Sequence, residues 1–475
     1  MAETLYWHDY ETFGANPRMD RPSQFAGIRT DLDLNIISEP LVEYCLPPKD
    51  MLPHPEACLI TGITPQQAEE RGLPEPEFIG KILEEMATPN TCAVGYNSLR
   101  FDDEVTRHTL WRNFHDPYAR EWQNGCSRWD IIDMVRLTYA LRPDGINWPK
   151  REDGAASFKL EHLASANNLE QERAHDALSD VYATIALAKL IRSKQPKLYD
   201  FVFNNRDKKS TRGMLDLISR KPVLHVSQKF PADLGCISLV MPIAEHPVNK
   251  NAVIVYDLRQ DPSDLIELSA DEIHERMFTP TEDLPEGVER VPLKGVHINK
   301  CPVLAPANML QTEEAKRLKL DGDTLRRNRN ALLEHIDAIS DKAQAVFGLG
   351  EFEAGSDPEQ ELYSGFVADG DRKLCQRVLV ASPEELAESE FPFKDKRLHE
   401  ILFRYRARNY PETLNDAEQD DWQNWRAKRL EFAPDGGLTL AEYDEMLPQL
   451  SEHFAGQPDK LQILVDLKSW AASLT

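Results

Sequence analysis

The chain has 475 residues, a length that exceeds one hydrophobic core and predicts two to four domains. Hydrophobic residues make up 41% and charged residues 28%, a balance that is typical of a globular protein and argues against a disordered or fibrous one. The first residues lack the basic and apolar stretches of a secretory signal, and no later segment offers the ~20 apolar residues that span a bilayer. We therefore expect a cytoplasmic protein that does not enter membranes.

The formal net charge of −25 argues at first against a nucleic-acid partner, because proteins that bind phosphates usually carry a basic surface. The acidic excess is uneven, since residues 351–475 hold 26 acidic and 14 basic side chains, about half of the excess. Basic and aromatic residues alternate instead between Arg100 and Lys159. A local phosphate-binding surface is therefore compatible with the acidic total.

The seven cysteines are an odd number, and none of them forms a C-x-x-C pair. This pattern argues against a disulfide framework and against a zinc site built from cysteines. We expect the cysteines to be apolar residues of the core.

Strand-like and helical patterns alternate up to about residue 195, which predicts an α/β domain. Short β-like runs then indicate a small antiparallel β domain, and helical patterns fill most of the chain from Thr312 onward, with a break from Gly348 to Pro358. The predicted strands are 5–8, 35–46, 92–96, 222–226, 236–241, 252–258 and 291–298, and the first predicted helices are 77–86 and 176–192.

Residues 5 to 14 combine an apolar and aromatic run with two carboxylates, Asp9 and Glu11, two residues apart. In a β-strand, side chains at i and i+2 leave the same face, so these carboxylates would share one small volume. Two such anions stay ionised when a cation lies between them, and oxygen ligands favour Mg²⁺ or Mn²⁺. The simpler alternative is a polar strand end that runs into a turn at Gly14.

Two later segments add residues with the same potential role. In the first, a buried strand leads through a loop to Asp102, which is either a helix N-cap or a third metal ligand. In the second, His175 precedes Asp180 by five residues at the start of a predicted helix. Either residue alone would more often be an ordinary surface or capping residue, but the combination with Asp9 and Glu11 is more specific.

Together these segments resemble the DEDDh 3′-to-5′ exonucleases, a branch of the ribonuclease-H-like superfamily. The family pattern is Asp-x-Glu on the first strand, a second Asp in a loop-helix segment, and then His-x-x-x-x-Asp. Residues 60–64 also resemble the family segment that packs against the terminal nucleotide. The matching positions, in chain order, are Asp9, Glu11, Asp102, His175 and Asp180.

Further segments narrow the resemblance to the exonuclease I family of bacterial single-strand DNA exonucleases. The similarity covers nearly the whole chain and implies a multidomain protein. Its expected parts are an α/β ribonuclease-H-like exonuclease domain (1–195), an SH3-like β domain (196–349) and an α-helical C-terminal domain (352–475). The segments that carry the similarity are 95–104, 127–130, 139–143, 157–163, 297–303 and 405–411.

The resemblance implies 3′-to-5′ hydrolysis of single-stranded DNA to nucleoside 5′-monophosphates, in DNA repair and recombination. Two Mg²⁺ ions about 4 Å apart, or Mn²⁺ in their place, would activate water and stabilise the leaving oxygen. Asp9 would bridge the ions, Glu11 and Asp180 would complete one site, and Asp102 would act on the other directly or through water. His175, with an unperturbed pKa of about 6.5, would take the proton from the attacking water, so Glu11 and His175 are the expected catalytic residues.

A single strand is held by cations along its backbone and by flat side chains under its bases. Arg107, Tyr118, Trp122 and Arg136 match positions that contact DNA in the family. Lys159 stands where the family commonly has Arg, so a point charge would replace a bidentate clamp. For each aromatic residue the alternative is a place in the core. The full set of basic and aromatic candidates is Arg107, Tyr118, Trp122, Arg128, Trp129, Arg136, Arg142 and Lys159.

The family also binds the acidic C-terminal tail of single-strand DNA-binding protein (SSB). Arg142 matches a tail-binding position, and the basic cluster at 326–329 can add positive charge. Gln311 falls where the family has Arg, which puts the tail-binding pocket in doubt. The partners expected from the resemblance are thus single-stranded DNA and the SSB tail, with the protein itself a monomer.

Two other functions remain open at this point. A DEDDh exoribonuclease uses the same acidic residues, and a few contacts near the 2′ position decide between RNA and DNA. A catalytically silent nucleic-acid-binding scaffold on a nuclease fold is the other alternative, because fold does not imply activity. The complete set of five motif residues argues against the scaffold.

Overall fold

The computed structural model describes residues 2–169, 176–349 and 357–474. The chain divides into two units, each assembled from separate stretches of sequence. The first unit contains residues 1–128, 171–185 and 353–475, and the second contains residues 129–170 and 186–352. Each helix in the described part of the chain is too short or too polar to span a lipid bilayer.

A five-stranded mixed sheet lies near the N-terminus. Its strands are β1 (Thr4–Thr12), β2 (Pro22–Thr30), β3 (Leu41–Tyr44), β4 (Thr91–Gly95) and β5 (Ser127–Asp130). The strand order is β3-β2-β1-β4-β5, so β1 lies at the centre. Strand β1 is antiparallel to β2 and parallel to β4. The two acids Asp9 and Glu11 are therefore on the central strand.

The sequence prediction missed β2 and placed a strand at 35–46, of which only Leu41–Tyr44 forms one. The residues of β2 are buried along almost the whole strand, so the strand lacks the alternation of apolar and polar residues that marks a half-exposed one. Ser23, Gln24, Gly27 and Arg29 also interrupt its apolar character.

Helices occupy much of the chain between β3 and residue 214. The helices up to residue 214 are α1 (Pro55–Thr61), α2 (Pro65–Arg71), α3 (Glu75–Met86), α4 (Asp102–Arg112), α5 (Ile132–Leu141), α6 (Leu160–Ala166), α7 (Ala177–Lys194), α8 (Pro196–Asn204) and α9 (Lys208–Met214). Helix α3 has the expected amphipathic pattern and buries Phe78, Ile79 and Ile82 in the same core cluster as Tyr6 and Phe25.

The second unit contains a five-stranded antiparallel sheet. Its strands are β6 (Val223–Val226), β7 (Ile237–Glu245), β8 (Ala252–Asp257), β9 (Leu293–His297) and β10 (Leu304–Pro306). They pair in the order β10-β6-β7-β8-β9. Four of these strands match predicted β runs, and Leu304–Pro306 was missed because it has only three residues. The helices beside and after them are α10 (Ser263–Glu267), α11 (Ala270–Phe278), α12 (Thr312–Arg317), α13 (Gly322–Glu334) and α14 (Ile336–Gly348).

The C-terminal part is helical, as predicted. Its helices are α15 (Asp369–Val380), α16 (Pro383–Glu388), α17 (Lys396–Asn409), α18 (Asp416–Phe432), α19 (Leu440–His453) and α20 (Pro458–Ser473). Short 3-10 turns lie at Ser98–Arg100, Ala119–Glu121, Gln123–Gly125, Ala232–Leu234, Thr281–Asp283, Ala307–Met309, Leu362–Ser364 and Pro411–Thr413.

Within the first unit the C-terminal helices share a core with the N-terminal residues. Phe13 and Leu59 belong to one apolar cluster with Leu430, Tyr443 and Trp470. Buried ion pairs reinforce this contact. The fully buried Asp50 accepts hydrogen bonds from two arginines of the C-terminal helices, Arg408 and Arg429. The C-terminal part is therefore packed onto the stretch of chain that follows β3.

Candidate active site

Three of the predicted metal ligands meet in the first unit. One carboxylate oxygen each from Asp9, Glu11 and Asp180 can be chosen so that all three lie within 4.8 Å of one another. Asp9 and Glu11 leave the same face of β1, and Asp180 lies in the first turn of α7. Glu11 is buried, whereas Asp9 and Asp180 are half-buried. The cluster thus keeps a side open to an incoming group.

The fourth acid, Asp102, is the first residue of α4 and is buried. Its Oδ1 accepts a hydrogen bond from the backbone N–H of Tyr10 at 3.0 Å. Tyr10 lies between Asp9 and Glu11 on β1, so this bond attaches the start of α4 to the strand that carries the acid pair. The structure therefore brings together four of the five motif residues.

The four acids repel one another. Burial raises the pKa of Asp9 well above its ordinary value, and the neighbouring carboxylates of Asp102 and Glu11 raise it further. Burial also raises the pKa of Glu11, with Asp180 as the strongest of the charged neighbours that add to this effect. Carboxylate oxygens at this density fit a hard divalent cation, whose charge would offset the repulsion.

His175 lies outside the described residues, so its predicted role as general base stays a prediction. The described chain resumes at Asp176, whose Oδ1 accepts a hydrogen bond from the backbone N–H of Ser179 at 3.2 Å and so caps the start of α7. The cap supports the turn that carries Asp180.

The acid beside Asp102 has a different environment. Asp103 is buried, and its two carboxylate oxygens accept hydrogen bonds from Arg120 at 2.5 Å and Arg128 at 3.1 Å. Although burial acts to raise the pKa of Asp103, these two arginines overcome it and hold that pKa below its ordinary value. Asp103 is therefore a charged structural anchor for the start of α4.

The predicted DNA contact Arg107 is the centre of a hydrogen-bonded group. Its guanidinium donates to both carboxylate oxygens of Glu121, at 2.7 and 2.9 Å, and to Glu104 at 2.9 Å. It also donates to the hydroxyl of Tyr363 at 3.0 Å, and that hydroxyl donates to Glu104 at 2.5 Å. The side chain of Arg107 is only 6% exposed, so its charge is largely occupied within the protein.

Two aromatic candidates lie beside this group. The guanidinium of Arg107 lies over the Tyr118 ring, 5.3 Å from its centroid, and Tyr118 is partly buried. Trp122 directly follows Glu121 and is 67% exposed. Such an exposed indole is free to stack on a base. Of the aromatic candidates in the first unit, Trp122 is the more accessible.

Three family models match the chain in order: an exonuclease at residues 6–188, the exonuclease I SH3-like domain at 206–349 and the exonuclease I C-terminal domain at 356–474. Exodeoxyribonuclease I of Escherichia coli K12 is 46% identical over 472 residues, which cover 99% of this chain and 98% of the relative. The chain belongs to the exonuclease I family. The resemblance predicted from the motifs is confirmed.

Solved exonuclease I structures agree with this fold over the whole chain. The enzyme from Methylocaldum szegediense has a TM-score of 0.94 at 49% identity, with 100% of both chains covered. The E. coli enzyme in complex with a dA16 oligonucleotide has a TM-score of 0.95 at 46% identity, again with full coverage of both chains. The predicted succession of an α/β exonuclease domain, an SH3-like domain and a helical C-terminal domain is confirmed.

Other residues that were predicted to contact DNA lie in the second unit. Trp129 is 1% exposed and packs edge-on against Tyr199 and Phe203, so it belongs to the core and does not stack on DNA. Arg136 is buried, donates to Asp133 at 2.6 Å and lies over the Phe158 ring. Lys159 is exposed and forms a surface ion pair with Glu161 at 3.6 Å. Arg128, which lies in the first unit, forms ion pairs with Asp103 and Glu121.

The structure also reveals two site residues that the sequence did not indicate. Tyr363 reaches Arg107 and Glu104 from a position more than 250 residues further along the chain. Gln24 lies opposite Glu11 on β2, the strand that the sequence analysis missed. No spacing signal exists for either residue, because only tertiary pairing brings them to the site.

Proposed function

We propose that this chain performs the exodeoxyribonuclease reaction of its family, removal of nucleotides from the 3′ end of single-stranded DNA, by two-metal hydrolysis at Asp9, Glu11, Asp102 and Asp180. The observation that carries the mechanism is the approach of three carboxylate oxygens to within 4.8 Å. Exonuclease domains of this kind depend on metal. The identity of the ions as Mg²⁺, with Mn²⁺ as a substitute, is part of the proposal.

The four acids and His175 would have separate roles in metal binding and proton transfer. Asp9 is a neighbour of both Glu11 and Asp102 and would hold both ions, with Glu11 and Asp180 completing one site and Asp102 serving the other. Bound divalent ions supply a lowered pKa for the attacking water and charge stabilisation at the leaving 3′ oxygen. His175 would accept the proton of that water, as the resemblance implies. The P–O3′ bond breaks, and the product is a nucleoside 5′-monophosphate.

Removal of one ligand tests the mechanism. In Asp9→Ala and Asp180→Ala we expect Mg²⁺-dependent release of mononucleotides to be abolished while binding of a single strand remains measurable. The matched control is Asp323→Ala, which removes a highly exposed carboxylate and should leave both properties unchanged. Near-normal turnover by Asp9→Ala would show that the metal assignment is wrong.

Labelled substrates test polarity and substrate class. We expect the label of a 3′-labelled single strand to be released at once and that of a 5′-labelled strand to be released late, with a blunt duplex resistant. An RNA strand of the same sequence decides the exoribonuclease alternative. A parallel titration with Mg²⁺ and Mn²⁺ identifies the preferred ion.

We also propose that the end of α5 binds the acidic tail of SSB. The exonuclease I of a solved SSB/exonuclease I structure with the inhibitor CFAM has 45% sequence identity to this chain, which supports SSB as a partner of this protein. Arg142 donates to the carbonyls of Leu141 and Met309, and no carboxylate of the described residues pairs with it. Arg317 donates to the carbonyls of Tyr139 and Ala140 and is equally free of ion pairs within the described chain.

Two uncompensated guanidinium groups at one helix end attract an acidic peptide, even though Gln311 is uncharged. We expect Arg142→Ala and Arg317→Ala each to weaken binding of the SSB tail peptide by about tenfold, since charged hydrogen bonds contribute roughly 1.5 kcal/mol or more. Gln311→Ala is the control and should change little. Unchanged binding in Arg142→Ala would exclude this surface.

The roles in DNA repair, the cytoplasmic location, the monomeric state and the boundaries 1–195, 196–349 and 352–475 stay predictions.

A further inference from the structure

The residue opposite Glu11 in the sheet is Gln24. In the antiparallel pair of β1 and β2, Gln24 is the partner of Glu11, and Ala26 is the partner of Asp9. Directly opposite residues of such a pair point to the same face of the sheet, with Cβ atoms about 5 Å apart. Gln24 therefore shares the face that carries the two acids, and it lies next to Glu11.

Gln24 also reaches the helix that carries Asp180. It is 2% exposed, and its Oε1 accepts a hydrogen bond from the backbone N–H of Ala177 at 3.3 Å. Ala177 is the first residue of α7 and is fully buried. The first N–H groups of a helix have no partner within the helix, so a buried one requires an acceptor from elsewhere.

The position of this bond matters for the acid cluster. Asp180 is three residues after Ala177, so the two residues lie on the same side of α7 in adjacent turns. A single side chain on β2 is thus beside Glu11 through strand pairing and is bonded to the start of the helix that presents Asp180. The separation of these two carboxylates depends on how α7 is attached to the sheet.

We propose that Gln24 is a positioning residue, which holds the start of α7 against β2 so that Asp180 stands at the correct distance from Glu11 to share a metal ion. The inference rests on the proposed two-metal function. An amide suits the position because it offers a neutral acceptor, whereas a carboxylate would add another negative charge to a cluster that already contains four acids. A residue without an acceptor would leave the Ala177 N–H buried and unpaired.

Two substitutions test the hydrogen-bond acceptor of Gln24 separately from the shape of its side chain. Gln24→Met keeps the approximate length and volume but removes the acceptor, and Gln24→Glu keeps an acceptor. The control is Gln344→Met, which removes a comparable hydrogen bond, from Gln344 Nε2 to the Glu245 carbonyl at 3.1 Å, from a residue that belongs neither to the acid cluster nor to its partners.

The first measurement is backbone hydrogen exchange of the metal-free chain at residues 177–180. Gln24→Met is expected to exchange roughly 5-fold or more faster at Ala177 than the parent, because a buried donor loses its partner. Gln24→Glu should restore slow exchange, and Gln344→Met should leave it unchanged. This readout needs neither metal nor DNA.

The second measurement is the Kd for Mn²⁺, determined by calorimetry without DNA. Gln24→Met should raise this Kd about 10- to 100-fold, the usual effect of losing a residue that orients metal ligands, while Gln344→Met should not. A folded Gln24→Met protein with a Kd within twofold of the parent would overturn the proposal, whether or not its exchange is faster. If the parent itself bound no Mn²⁺, the proposed function would fail, and slow exchange at Ala177 would still show whether Gln24 anchors α7.

Discussion

The carboxylate of Asp102 accepts a hydrogen bond from the backbone N–H of Tyr10, the residue between Asp9 and Glu11. This bond ties the N-terminus of α4 to the central strand at the point where the two acids leave it. The same carboxylate raises the pKa of Asp9 through its charge. Asp102 therefore stabilises the local geometry by its hydrogen bond and destabilises the metal-free cluster by its charge.

Asp102→Asn separates these two effects, because the amide oxygen can still accept from Tyr10 while the charge is lost. We expect the metal-free protein to gain about 2 °C in Tm, corresponding to the relief of about 1 kcal/mol of repulsion. Metal-dependent turnover should fall by at least about 100-fold, because Asp102 would hold an ion whose positive charge offsets the negative charge of the reacting phosphate. Thermal unfolding with chelator and turnover with Mg²⁺ measure the two changes. A fall in Tm without metal would contradict this view of the cluster.

The exposed indole of Trp122 is expected to bind DNA by stacking. Trp122→Ala should raise the Kd for a single strand roughly 5- to 150-fold, because one stacked base contributes about 1 to 3 kcal/mol. The salt dependence of Kd should stay the same, since no phosphate contact is removed. Fluorescence anisotropy at two salt concentrations measures both. Phe432→Ala is the control, because Phe432 is an aromatic residue of the same unit and is similarly exposed, at 64%.

The buried Asp50 is expected to be a major source of stability for the contact with the C-terminal helices. Asp50→Asn leaves Arg408 and Arg429 without this counter-charge and should lower the free energy of unfolding by about 3 to 5 kcal/mol. These arginines hold the pKa of Asp50 below its ordinary value, despite burial acting to raise it. The stabilisation is therefore fully present above about pH 4 and is lost as the pH falls towards the folded-state pKa.

Urea unfolding at pH 7 compares this variant with the parent. Asp323→Asn serves as the matched control, because its partner Arg326 is also exposed and the pair should contribute less than about 1 kcal/mol. Equal stability of Asp50→Asn and the parent would show that the buried carboxylate does not hold the helices.

We expect the buried side chain of His108 to cause a loss of stability in mild acid. Burial lowers its pKa from 6.5 to about 4, and its Nδ1 lies 3.2 Å from the Glu359 carbonyl. Between these two pH values the unfolded chain binds a proton that the folded chain does not, so stability falls as the pH drops. In His108→Asn, which does not titrate, the loss between pH 7.5 and 5 should be smaller by about 2 kcal/mol. Unfolding at both pH values measures the difference, and equal losses would contradict it.

The order and spacing of a few residues predicted the exonuclease I family and a cluster of acids in advance. Asp9 and Glu11 share a face because side chains alternate along any strand, which requires no knowledge of the fold. The predicted helix at 176–192 and the observed α7 also agree, because small and apolar residues recur there at helical spacing. Local periodicity thus identified the elements that carry the acids.

The tertiary structure decided which neighbours act on those acids. Gln24 reaches Glu11 and Ala177 only because β2 pairs with β1, and the buried strand β2 lacked the alternation that would have revealed it. Arg107 pairs with Glu104 and Glu121 and donates a hydrogen bond to Tyr363, which lies 256 positions further along the chain. These contacts within the protein engage a guanidinium that the sequence predicted only as a DNA contact. The spacing of residues along the chain determines which side chains a strand or helix places on one face. Burial and long-range hydrogen bonds decide which of those side chains stay available to bind a ligand.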